Sequence, residues 1–215
     1  TAPKNIGEMI KIGRRGSLMA KINITGKQGH VAYPQWNLNP ILPLNKIIYD
    51  LNSLKLDEGT NEFPPSNIEF VNIDSSDGAT NMVPNNASAQ LNIRFNTSHS
   101  ANSLEKNIKK IVEKNISNTS FVPEIEFYCT AEPFLTQQGK FTDIVKRSVD
   151  DITGLKSEFS TTGGTSDARF FKDYCEVVEF GLVGETAHQV DENVNVSDVS
   201  KLKNIYQNIL EKYFA

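Results

Sequence analysis

Cysteine, histidine and tryptophan are scarce in this chain of 215 residues, which holds two Cys, three His and one Trp. Cys129 and Cys175 both fall in strand-like runs and form no C-x-x-C pair, so they read as reduced core residues of a cytoplasmic protein. Basic blocks are lacking as well. The formal charge of -4 and a pI near 5.5 argue against a general binder of nucleic acid or of acidic membranes, because no basic block concentrates cations against phosphates. The densest basic cluster, Lys11, Arg14 and Arg15, is of the kind that a solvated turn carries. No apolar stretch approaches membrane-spanning length, and no charged, apolar, small-residue leader opens the chain. The expectation is a soluble cytoplasmic protein with neither a nucleic-acid nor a membrane partner. An initiator methionine is missing too. Thr1 to Ile12 has no helix cap and reads like the middle of a protein, so a fragment is expected.

What is present suffices for a core: 38% of the residues are hydrophobic, and the length suits two modest domains. Ser17 to Gly26 alternates Leu18, Ala20, Ile22 and Ile24 with Met19, Lys21, Asn23 and Thr25, the period of a half-buried strand. Asn39-Pro40 then opens a helix with Ile41, Leu44, Ile47, Ile48, Leu51 and Leu54 at three-and-four spacing. A strand over Asn67 to Asp74 follows the break at Phe63-Pro64-Pro65. After the turn-rich loop Ser75 to Asn86 comes a third strand, Ala87 to Thr97. A helix over about Ser103 to Asn115 buries Leu104, Ile108, Ile111 and Val112, and a strand over Glu124 to Thr130 closes the series. The order β-α-β-β-α-β predicts four antiparallel strands with two helices on one face.

Past Pro133 the pattern changes. Helices are expected over Lys140 to Ile152, Thr165 to Lys172 and Val196 to Tyr213, the last with Val199, Leu202, Ile205, Ile209 and Leu210 inward. Strands are expected at Glu158 to Thr162 and, buried on both sides, at Cys175 to Gly181. Alternating helix and strand predicts a parallel-type sheet, and two or three strands are too few to close one. The fold class is α/β (α+β), with residues 16–131 as one domain and residues 1–15 and 132–215 as parts of another.

Three stretches carry candidate chemistry. In GETAHQVDENV (Gly184 to Val194), His188 sits on a polar loop just past a strand, where open α/β folds place functional groups. Glu185, Thr186, Gln189, Asp191 and Glu192 surround it and could fix a ligating ring. In GKQGHVAYP (Gly26 to Pro34), His30 stands in a glycine-flanked loop, either a structural histidine or an accessible ring able to donate to an oxyanion. TTGGTSDARF (Thr161 to Phe170) places two glycines and three hydroxyls before a helix start. This suits an anion, or else is a plain turn capped by Ser166 or Asp167. It is neither a Walker loop nor a nucleophile elbow. His99, among Ser98, Ser100 and Asn102, reads as a solvated turn residue.

GRRGSL (Gly13 to Leu18), GKQGHVAYP, NEFPPSNIEFVNI (Asn61 to Ile73), GATNMVP (Gly78 to Pro84), IRFNT (Ile93 to Thr97), TTGGTSDARF and TAHQVDENV together resemble the bacterial succinyl-diaminopimelate desuccinylases. These belong to the two-zinc aminoacylase and carboxypeptidase family, and the likeness runs in order along essentially the whole chain. It implies a catalytic domain with a zinc pair, interrupted by a β-α-β-β-α-β lid through which two subunits dimerise. By the same likeness His188 corresponds to the last metal ligand, with Asp191 and Glu192 as its surroundings, and His30 to the lid histidine that stabilises a tetrahedral intermediate in the neighbouring subunit. Arg14, Tyr33, Asn81, Arg94, Gly164, Thr165 and Ser166 correspond to groups that hold the substrate, whose carboxylates suit arginine forks and helix ends.

Gly184 departs from the asparagine usual in that family, and Ala168 from a glycine. The family's other metal ligands and its general base would precede Thr1. The resemblance therefore implies two zinc ions per subunit in a full-length desuccinylase. In this chain it implies none, or one weakly bound, and no activity alone. Two alternatives accompany it: an acetylornithine deacetylase or dipeptidase of the same fold, and a small RNA-binding or purely dimerising ferredoxin-like module with the same strand order. For the second, the third strand offers Arg94 and Phe95 but no repeated aromatics.

Overall fold

A computed structural model describes residues 4–75 and 79–215. The start of TAPKN and the Ser76, Asp77 and Gly78 of the turn-rich loop lie outside the described residues. In chain order the elements are β1 (Met9–Lys11), β2 (Gly13–Arg14), β3 (Gly16–Thr25), β4 (Gly29–His30), α1 (Ile41–Asn52), β5 (Asn67–Asp74), β6 (Met82–Val83) and β7 (Asn86–Phe95). They continue with α2 (Ala101–Ile116), β8 (Val122–Ala131), β9 (Phe134–Leu135), α3 (Lys140–Thr153), β10 (Glu158–Ser160) and α4 (Val196–Phe214). The chain divides into a central unit, Gly16–Pro133, and a flanking unit, Thr1–Arg15 with Phe134–Ala215.

The central unit is a four-stranded antiparallel sheet in the order β5-β7-β3-β8. β3 pairs with β7 along its whole length, from Gly16↔Phe95 to Thr25↔Asn86. A period of two sends Leu18, Ala20, Ile22 and Ile24 of β3 to the same covered face as Ala87, Ala89, Leu91, Ile93 and Phe95 of β7. Onto that face α1 lays Pro43, Leu44, Ile47 and Leu51, and α2 lays Ala101, Leu104, Ile108 and Val112. Each Leu or Ile so buried contributes about 1.5–3 kcal/mol relative to exposure. Ser100 caps α2 by accepting from Ser103 N. Two positions differ from the expected stripe of α1: Ile41 is exposed at the first turn, and Leu54 lies beyond the helix end.

Between α1 and β5 the chain is held by Asp57. Its carboxylate accepts from Gly59 N, Ser66 N and Asn96 Nδ2 and lies 3.0 Å from His99 Nε2. Burial works to raise the carboxyl pKa, but the hydrogen bonds from Ser66, Gly59 and Asn96 outweigh it and bring it to about 2. His99 is therefore no solvated turn residue; it packs into this polar cluster.

The flanking unit is built differently. β1 pairs with β10 in parallel and β2 with β9 antiparallel, each a two-stranded ladder. Ile6, Ile10, Ile12, Val145, Val149, Phe180 and Ile205 form its core. Several expectations are corrected here. The glycine turn leads not into a helix over Thr165 to Lys172 but into one 3-10 turn, Asp167–Phe170. Only Ala168 of it is buried while Phe170, Phe171 and Tyr174 are exposed, so no packed face sustains a longer helix. Cys175 to Gly181 is not a doubly buried strand, because Glu179 alone bridges to Lys11 and the other edge of β1 is taken by β10. The cysteines are free but exposed rather than core, Cys129 on edge strand β8 and Cys175 in this irregular run. Partial burial, with Glu132 nearby, pushes the Cys129 thiol pKa up. On α4 only Ile205 is fully buried, with Leu202 and Ile209 half-covered, while Val199 and Leu210 are exposed.

Candidate functional site

In the central unit, His30, Tyr33 and Asn81 come together at one end of the sheet. β3 runs out through Gly26 into a finger whose first residues, Gly29–His30, pair with Met82–Val83. Val31 N donates to Asn81 O at 3.1 Å, tying the finger to the loop before β6. His30 and Tyr33 are both exposed, with ring centroids 5.8 Å apart. Arg94 is not brought to them. It is half-buried near the far end of β7, opposite Ser17 and Asn67. The eight residue-to-residue steps from Asn86 to Arg94 span about 27 Å of extended strand. His30 and Arg94 of one copy therefore sit at opposite ends of the sheet.

In the flanking unit, Arg14 meets the glycine turn. Its Nε pairs with Glu179, and its Nη1 donates to Thr162 O at 2.9 Å. Gly163 lies over the guanidinium with φ +108°, a backbone that favours glycine, and an added Cβ would come within 2.2 Å of Nη1, so the arginine tip would have to shift. Gly164 is exposed, Thr165 and Ser166 are half-buried, and the Ser166 hydroxyl oxygen is buried without a partner among the described residues. A four-residue 3-10 turn supplies no helix dipole to speak of. Anion binding at this turn would rest on Arg14 and the hydroxyls instead.

Sequence reasoning missed Lys11. Its ammonium is buried and donates to Ser160 Oγ at 3.0 Å and Thr162 Oγ1 at 2.6 Å. Burial first, and then the nearby Arg14 charge, bring its pKa down to about 8, with Glu179 opposing. The alternation of MIKIG sets Lys11 on the face of β1 opposite the core residues Ile10 and Ile12, so spacing gave no signal of its burial. Glu179, hidden in an apolar run, gave none.

His188 stands in an exposed loop closed by Thr186 and Asn193, whose hydroxyl and backbone bond each other at 2.9 and 3.1 Å. Its backbone is left-handed, φ 64°, as is that of Asp191 at 63°. That region is disfavoured for residues with a Cβ, and at exposed loops it often marks functional constraint. His188 N lies 3.4 Å from Glu192 Oε2. Among the described residues no group of three or more His, Cys, Asp or Glu side chains is gathered to hold a metal. One imidazole does not make a zinc site of the usual three or four protein ligands, so these residues by themselves do not fit the metal.

Comparison with known proteins follows the same lines. A family model described as the peptidase dimerisation domain matches residues 12–120. The succinyl-diaminopimelate desuccinylase of Pelagibacter ubique is 45% identical over 214 residues, covering 100% of this chain and 56% of that protein. The succinyl-diaminopimelate desuccinylase of Beijerinckia indica is 48% identical with the same coverage. The chain thus spans about half the length of the curated relatives it matches. Among solved structures, a Staphylococcus aureus tripeptidase superposes with TM-score 0.81 at 18% identity, over 97% of this chain and 54% of that one. An M20 family metallo-carboxypeptidase of Sulfolobus solfataricus gives 0.74 at 18%, over 95% and 60%. At such identities the two structures establish the shared fold.

Proposed function

Because this chain belongs to the peptidase dimerisation domain family, we propose that it is the dimerising and cleft-forming part of a cytoplasmic succinyl-diaminopimelate desuccinylase. The whole enzyme hydrolyses N-succinyl-LL-2,6-diaminopimelate to succinate and LL-2,6-diaminopimelate, a step of lysine and diaminopimelate biosynthesis. The observation that carries this reading is identity of 45 to 48% to desuccinylases along the entire chain. Residues 16–131 are assigned as the lid and dimerisation domain, and residues 1–15 and 132–215 as parts of the catalytic domain.

The assigned roles follow from the chemistry of each side chain. His30 donates a hydrogen bond to the oxyanion that forms as water adds to the amide, a contact stronger in the transition state than in the ground state. Arg14 with Thr165, Ser166 and Gly164, and Tyr33, Asn81 and Arg94, hold carboxylates of the substrate. The distance between His30 and Arg94 within one copy supports a site shared between two copies, with His30 supplied across the dimer. His188 is this chain's contribution to the metal of the whole enzyme, taken as two zinc ions per subunit. Since the described residues do not themselves fit zinc, the chain alone is expected to be inactive.

Hydrolysis of N-succinyl-LL-2,6-diaminopimelate and of N-acetylornithine by the full-length protein tests the assignment. Preference for the succinyl substrate is expected; preference for the acetyl substrate would replace the assignment with a deacetylase. Measurable turnover by the 215-residue chain alone would overturn its expected inactivity.

A further inference from the structure

The finger that carries His30 and Tyr33 projects into solvent, with Val31, Tyr33 and Trp36 all exposed. An oxyanion donor must be held to within about 0.5 Å, so something inside the finger has to set its shape. Lys27 and Leu38 close its base with reciprocal backbone bonds of 2.9 Å. Within it, Asn37 Nδ2 donates to Tyr33 O at 3.2 Å and to His30 O at 3.4 Å. Both partners are carbonyl oxygens, so only the NH2 end of the amide can serve and its orientation is fixed. The Asn37 Cβ packs against Gly29, where an added Cβ would come within 2.7 Å of it. On the outside, Trp36 stacks over Tyr33 at a centroid distance of 4.8 Å and 30° between planes. Ala32 N donates to His30 Nδ1 at 3.1 Å. With Nδ1 engaged as acceptor, the proton of the neutral ring resides on Nε2, the outward end.

We propose that Asn37 is a positioning residue for the hydrolysis. By tying the His30 and Tyr33 carbonyls to one side chain it holds the His30 ring as an Nε2–H donor and the Tyr33 hydroxyl at a fixed place, with Trp36 as the outer clamp. The catalytic meaning of this inference rests on the desuccinylase reading; the brace itself rests on the finger's geometry.

Asn37→Asp tests it, because the side chain keeps its size and its packing on Gly29 but presents acceptors to two carbonyls. Trp36 is the only tryptophan of the chain, so its fluorescence reports on the finger directly. In the 215-residue chain, the variant should lower Trp36 anisotropy and speed Ala32 amide exchange by at least about tenfold. It should also cost His30 its Nε2–H preference in nitrogen-15 spectra. In the full-length protein kcat for the succinyl substrate should fall about ten- to hundredfold with KM little changed. If Asn37→Asp does not fold, Asn37→Ala removes the donors without adding charge and carries the same readouts. Unchanged anisotropy and Ala32 exchange would overturn the brace, and a loosened finger with unchanged kcat would overturn the positioning role. Absence of succinyl hydrolysis by the unsubstituted full-length protein would remove the desuccinylase reading and the catalytic role with it, while the spectroscopy still judges the brace.

Discussion

The central and flanking units spend their apolar residues in opposite ways. In the central unit the inner faces of β3 and β7 and the stripes of α1 and α2 close on one another, so nearly every residue of the buried alternation finds a partner nearby in the same unit. In the flanking unit the 19-residue α4 buries only Ile205 fully, while Val196, Val199, Tyr206, Leu210, Tyr213 and Phe214 remain exposed. Its strands pair two by two rather than in a sheet. The contrast shows that periodicity reports a residue's capacity to be buried; whether it is buried depends on a second surface. It also agrees with the proposed division of labour, in which a self-sufficient dimerising lid accompanies a unit whose apolar faces belong to a larger catalytic domain.

Substitutions of similar chemistry should separate the two units most clearly. Leu91→Ala, in the middle of the sheet, should cost about 3 kcal/mol through lost burial and the cavity left behind. Leu210→Ala on α4 should stay within about 0.5 kcal/mol, because that side chain already meets water. Urea unfolding followed by far-UV circular dichroism measures both. Similar losses at the two positions would break the comparison.

A smaller effect sharpens it within the central unit. Asp57→Ala removes the acceptor shared by Gly59, Ser66, Asn96 and His99 and should cost about 2 kcal/mol. The pH dependence has a definite sign. The folded carboxyl titrates at about 2, below its ordinary 3.8, so its stabilisation is complete above 3.8 and is lost as the pH falls toward 2. Urea midpoints taken across that window should decline more steeply for the unsubstituted protein than for Asp57→Ala.

The same contrast explains what could be read from the amino-acid sequence. The four strands and two helices of the central unit were legible because their partners alternate or repeat on matching faces, and β5 coincides with the predicted Asn67 to Asp74. The failures are elsewhere and share a cause. Cys175 to Gly181 has the composition of a buried strand, but only Glu179 finds a bridge. Val199 and Leu210 keep the helical period with nothing over them. Among the candidate residues, His30 was legible from its glycine-flanked loop after a strand and Tyr33 and Asn81 only through the family resemblance, whereas Lys11, Asn37 and His99 take their surroundings from contacts made by residues distant in sequence or by side-chain hydrogen bonds, which no spacing encodes.

The last prediction concerns Lys11, where the flanking unit should respond to pH in a range in which Asp57 of the central unit is silent. Burial holds the folded ammonium at about 8, below its ordinary 10.5. From pH 8 to 10.5 the unfolded chain therefore carries a proton that the folded chain has released, and stability rises with pH across that window. Below pH 8 both states are protonated and the cost of the buried charge is felt in full; above 10.5 neither is, and it vanishes. Lys11→Met keeps the length of the side chain and removes the charge, so it should flatten the rise while leaving the response of the central unit near pH 3 unchanged. Thermal melting of both proteins across pH 7.5 to 10.5 measures the difference, and an equal slope in the two would show that the Lys11 ammonium is hydrated rather than buried against Ser160 and Thr162.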